Sequence, residues 1–116
     1  MTSSAVEVRA ADAAHTAIVA LHDALDIHSA PLVRDRLGQV VDHGWRTIIV
    51  DLRDVDFMDS TGLGVLIGAR RRSQEAGTKL VLARPSRATY RLLAVTGMRR
   101  HFTITKDLRS GDGTAV

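Results

Sequence analysis

At 116 residues the chain has the length of one domain with a real core, and its 45% hydrophobic and 25% charged content is ordinary for a soluble globular protein. The absence of cysteine excludes disulfides and thiolate chemistry and fits a cytoplasmic protein, and no apolar run nears the roughly 20 residues of a membrane span. Net charge is +3 but lopsided, −5 over residues 1–60 and +8 over residues 61–116. The basic clusters "GARRR", "RPSR" and "MRRH" would suit a nucleic-acid surface; one Trp, one Tyr and two Phe leave few stacking platforms, so solvated helix faces are the favoured reading. The first residues, "MTSSAVEVRAADAAH", lack the basic-then-apolar layout of a signal peptide.

In chain order, "VEVRA" (6–10) alternates like a half-buried strand, and "TAIVALHD" (16–23) reads as a second strand. Ser29 is placed to cap a helix with Pro31 in its first turn, in which Val33, Leu37, Val40 and Val41 share one face and Gly44 ends the run. "RTIIVDL" (46–52) has the β-branched composition of a strand buried on both faces. Residues 59–76 read as a helix, 79–83 as a strand, 86–96 as a helix with Tyr90, Leu93, Ala94 and Gly97 on one face, and 101–105 as a last strand. The order ββαβαβαβ predicts an α/β domain with a mostly parallel sheet, its first strand pair a hairpin that adds an antiparallel edge. The domain is expected to span 1–116, with a core of about 6–108 and frayed ends at 1–4 and 110–116.

The junction "DSTGLG" (59–64) carries the chemistry. Capping of an orphan helix N–H accounts for one of Asp59, Ser60 and Thr61, but not for all three in a row. Nor does it account for Gly62 and Gly64, each costing a helix roughly 1 kcal/mol against alanine. Together with Gly68 these glycines would permit close approach of the helix to the sheet, or of another molecule to its first turn. Leu63, Leu66, Ile67, Val65 and Ala69 make the first turns apolar nearly all round, which suits either the core or a partner surface.

The glycine spacing fails the dinucleotide fingerprint, no lysine follows as in a P-loop, and Met58 stands where a hydrolase elbow has its first glycine. The histidines at 15, 22, 28, 43 and 101 show no ligand spacing, so neither a metal nor another cofactor is expected. A modified serine remains. Phosphate on Ser60 would sit at a helix N-terminus, which tolerates an anion, yet close to Asp51, Asp54, Asp56 and Asp59. Local tolerance with disturbed binding is what a reversible interaction switch requires.

The stretch "FMDSTGLGVLIGARRRSQEAGTKLVLARPSRATYRLLAVTGM", with "IIVDL" before it, resembles the central motif of anti-sigma factor antagonists, members of the STAS domain family. The resemblance runs from about Val6 to Leu108. It implies a compact STAS-type α/β fold, a mixed sheet of about five strands with helices packed mainly on one face. It also implies a partner, an anti-sigma factor that is a serine kinase of the histidine-kinase-like ATPase fold. Unphosphorylated antagonist binds that kinase and frees a sigma factor; phosphorylation of the motif serine abolishes binding, and a PP2C-type phosphatase restores it.

Carried onto this chain, the acceptor is Ser60, with Thr61 the less favoured hydroxyl, and Asp26, Asp59, Thr61, Gly62, Leu63 and Gly64 form the partner-binding turn. Upstream, "DALD" departs from the family's G-[ED]-[LI]-D, because Asp23 and Ala24 replace the usual glycine and acid. The expectation is therefore a regulatory binding protein rather than an enzyme, monomeric when free, contacting neither nucleic acid nor membrane. A STAS subunit of a transporter or sensory complex, working without phosphorylation, is the alternative.

Overall fold

Period-two and period-3.6 apolar patterns resolve into alternating strands and helices in the computed structural model, which describes residues 5–108. Among these residues β1 (Val6–Ala10) and β2 (Thr16–Leu25) pair antiparallel, followed by α1 (Ala30–Asp42), β3 (Thr47–Met58) and α2 (Ser60–Glu75). Next come β4 (Lys79–Ala83), α3 (Arg87–Val95), a 3-10 turn at Arg99–His101 and β5 (Thr103–Thr105). The strands lie in the order β1-β2-β3-β4-β5, and every pair after the first is parallel. This is the mixed, mostly parallel sheet the alternation predicts. The ends at 1–4 and 110–116, expected to fray, lie outside the described residues.

Alternate strand residues, among them Val19, Val50, Leu52 and Leu82, meet Leu37 of α1, Leu66 of α2 and Leu93 of α3 in one buried cluster. The three helices thus cover one face of the sheet. Ile18, Ile49, Val81 and Ala83 form a smaller buried cluster on the other face, with Ala11 and Leu108 packed against it. Burial on both faces is why the central strands read as unbroken apolar runs.

Four local expectations are corrected. The strand predicted over 46–52 continues to Met58, because β2 keeps pairing with it through two register shifts, at Ala20/His22 and Asp23/Ala24. Aspartates are depleted from strands, but Asp54 and Asp56 project outward while Val55 between them is buried. Ser29 makes no side-chain cap, since its own backbone is already helical (φ −90°, ψ −17°). On α3 the buried residues are Thr89 and Leu93, whereas Tyr90 is exposed; a threonine whose hydroxyl is satisfied by Ser86 took the place the pattern gave to tyrosine. Finally, the last strand begins at Thr103, after the 3-10 turn.

At the second register shift Asp23 adopts a left-handed backbone, φ +66°. This supplies the physical sense of the position where the motif usually has glycine: the bulge needs a residue that tolerates positive φ, and aspartate is among the few that do. Asp23→Gly is accordingly expected to keep stability within about 0.5 kcal/mol, while Asp23→Val costs about 1–2 kcal/mol. Urea midpoints of the two variants decide it; equal midpoints would mean the bulge relaxes freely.

Candidate functional site

The pairing of Leu25 with Met58 ends β2 and β3 side by side, so Asp26 and Asp59 leave the sheet together. Each aspartate organises the helix that follows. Asp59 has an extended backbone (φ −117°, ψ −169°), and its carboxylate accepts from the amides of Thr61 (2.9 Å) and Gly62 (3.1 Å). The Asp26 carboxylate accepts from the amides of His28 (2.9 Å) and Ser29 (3.2 Å), while the Ser29 hydroxyl accepts from the Asp26 amide at 3.0 Å and donates to the Ala24 carbonyl at 2.8 Å. This is a reciprocal capping arrangement with Asp26 in the leading role, the one first assigned to Ser29. The Ser29 amide, followed by that of His28, holds the Asp26 carboxyl below its ordinary pKa.

Beneath this pair lies Gly62. A Cβ there would collide with the Leu25 carbonyl oxygen and come within 2.9 Å of its Cγ, so the first turn of α2 rests on the end of β2. Gly64 and Gly68 do not share that role, since a Cβ on either would meet open space. Val65 and Ala69, whose faces suited core or partner equally, are buried together with Leu63 and Leu66. The apolar girdle of α2 therefore belongs to the core.

What the junction presents outward is Ser60. It is exposed at the first position of α2, whereas Thr61 is half-buried. Two large apolar side chains are exposed on the segments that lead into this junction: Ile27, 67% exposed, next to Asp26, and Phe57, 53% exposed, near the end of β3. Periodicity gave no weight to either; an isolated apolar residue among polar neighbours, as in "LDIHS", was the available signal. The charge around Ser60 is also simpler than the sequence suggested. Asp51 is turned to the other face of the sheet and bound by Arg84, and Asp54 lies 3.5 Å from the His22 ring, which Glu7 meets from the other side at 3.0 Å. Asp56 is exposed near the end of β3, and Asp59 and Asp26 are the carboxylates that cap the turn itself. No three metal-ligating side chains converge among the described residues, and no described helix is long and apolar enough to cross a membrane.

Fold and junction together define a small α/β domain that exposes one hydroxyl at a carboxylate-capped helix start. The STAS domain family model matches residues 5–111, and the chain belongs to that family. The anti-sigma-B factor antagonist of Bacillus subtilis (strain 168) is 33% identical over 87 residues, covering 75% of this chain and 79% of that protein. Among solved structures, an anti-sigma factor antagonist from Mycobacterium paratuberculosis superimposes with a TM-score of 0.75 at 23% identity, over 96% of this chain and 95% of that one. The phosphorylated form of the Bacillus cell fate determinant SpoIIAA gives 0.68 at 22% identity, over 89% and 93%. At these identities the two structures bear on the fold.

Proposed function

We propose that this protein is an anti-sigma factor antagonist switched by phosphorylation at Ser60. Unphosphorylated, it binds an anti-sigma factor that is a serine kinase of the histidine-kinase-like ATPase fold, and so releases a sigma factor. The phosphorylated form does not bind, and a PP2C-type phosphatase resets it. The phosphoryl-transfer chemistry belongs to the partner, and this chain acts as substrate and ligand. The relatives' shared name supports the role. The observation that carries the switch is the exposure of Ser60 at the head of a helix whose capping carboxylate is already engaged.

Each proposed contact residue then has a physical part. Asp26, Asp59, Thr61 and Gly64 lie at the surface of the turn, and Ile27 and Phe57 supply apolar area beside it. Gly62 and Leu63, both buried, hold the turn from beneath. A phosphate at the centre of such a patch adds about −2 charge where a partner must desolvate the surface, next to two carboxylates.

Affinity capture from a lysate of the source organism tests this, with Ser60→Ala and Ser60→Asp beside the unmodified chain. Unmodified protein and Ser60→Ala are expected to retain an ATPase-fold kinase, and Ser60→Asp to lose it by at least roughly tenfold in recovered amount. Equal retention by all three, or retention of a transporter instead, would sink the proposal.

A further inference from the structure

The sheet ends in two edge strands, and they are not alike. β5 is three residues long, too short to offer much to a neighbouring chain. β1 is five residues long and keeps an unbroken register with β2. It contains neither the proline nor the bulge that often blunts an edge, and its two charges are of opposite sign.

The pairing with β2 decides which backbone groups β1 leaves open. The His22 amide donates to the Ala5 carbonyl at 3.0 Å, and the Ala11 amide to the Thr16 carbonyl at 2.9 Å. Hydrogen-bonded residues alternate along an antiparallel ladder, so Ala5, Glu7, Arg9 and Ala11 turn their backbone groups to β2. Val6, Val8 and Ala10 turn theirs outward, and among the described residues no strand but β2 pairs with β1. The side chains divide the same way. Val8 lies opposite Val19, on the face the helices cover, yet is 38% exposed, and Ala10 beyond it is exposed too. Glu7 and Arg9 stand on the other face, both exposed. Arg9 makes no ion pair with any described residue, and Glu7 meets His22 through one carboxylate oxygen.

Such an edge is complementary to itself. Let a second copy lay its β1 antiparallel along this one, with Val8 at the two-fold axis. Val8 then faces Val8 and Val6 faces Ala10, each pair exchanging both backbone hydrogen bonds. Between those pairs Glu7 of either copy stands opposite Arg9 of the other. Moving the axis by one residue would set Glu7 against Glu7 or Arg9 against Arg9, so charge selects the register.

We propose that the protein self-associates through β1, joining two five-stranded sheets edge to edge about a two-fold axis. One strand pair is a far smaller contact than the roughly 1,600 Å² of a standard interface, so the dimer is weak, with Kd on the order of 100 µM. The family resemblance implies a monomer when free; the dimer is the state reached at high concentration. None of its contact residues belongs to the Ser60 junction.

Sedimentation equilibrium of the full chain between about 10 µM and about 1 mM is the test, with dimer expected at the upper end. Val8→Pro removes an outward-facing amide, which an edge strand tolerates, and should weaken association at least roughly tenfold. Glu7→Arg and Arg9→Glu should each weaken it as well, because like charges then face one another. Mixed together, these two variants should form a heterodimer tighter than either self-pair, since opposite charges meet at every position; a loss of folding could not produce that result. A monomer at every concentration, a dimer indifferent to Val8→Pro, or a mixture that associates no better than its components would overturn the proposal.

Discussion

Gly62→Ala is expected to destabilise the domain by about 1–3 kcal/mol and to abolish capture of the anti-sigma partner. Alanine is the better helix former by roughly 1 kcal/mol, so helix propensity alone gives the opposite sign. Position decides the matter. The new methyl group would run into the Leu25 carbonyl oxygen, a backbone atom that moves only if β2 or α2 moves. Either shift parts Leu25 from Met58 and displaces Asp26 from Asp59, the pair that frames Ser60. Gly64→Ala is the matched comparison: its Cβ meets nothing within 4 Å, so it should gain up to about 1 kcal/mol. Thermal unfolding of both, followed by lysate capture, gives the answer. Were Gly62→Ala as stable as Gly64→Ala, the close approach would not govern the turn.

Leu66→Ala carries the largest expected loss of stability, about 2–5 kcal/mol. Its side chain has no exposed surface and lies in the cluster shared by the sheet and the helices. For a domain of this size each kcal/mol lowers Tm by about 4 °C, so the variant should melt well below the parent yet remain folded in the cold. Capture of the partner at low temperature should persist, because Leu66 reaches neither the surface nor the Asp59 cap. Binding lost while circular dichroism still shows native helix would put Leu66 in the interface, against its burial.

These two residues also show where the sequence could be read and where it could not. The face of α1 formed by Val33, Leu37, Val40 and Val41 was legible because helical period alone selects it, and all four are buried. The hydroxyl and carboxylate at the start of α2 were legible as a cap, and the motif singled out Ser60 among them. The split of α2's glycines was not. Gly62 and Gly64 are two residues apart and alike in sequence, and only the arrival of Leu25 from another strand separates them. The distal half of β3 was hidden for a similar reason, since Asp54 and Asp56 look like loop residues until β2 is seen to extend beside them. The Asp51–Arg84 pair spans 33 positions and leaves no local trace.

The capping of α2 has a consequence for how a mark on Ser60 would be handled. Asp59 already occupies the amides of Thr61 and Gly62, the donors that would otherwise draw an anion back onto the helix end. A phosphoryl group on Ser60 would therefore be poorly tethered to its own chain and would stand out in water. An enzyme removing it need not pry open the fold, so the lifetime of the mark would be set by the supply of phosphatase rather than by the breathing of the domain.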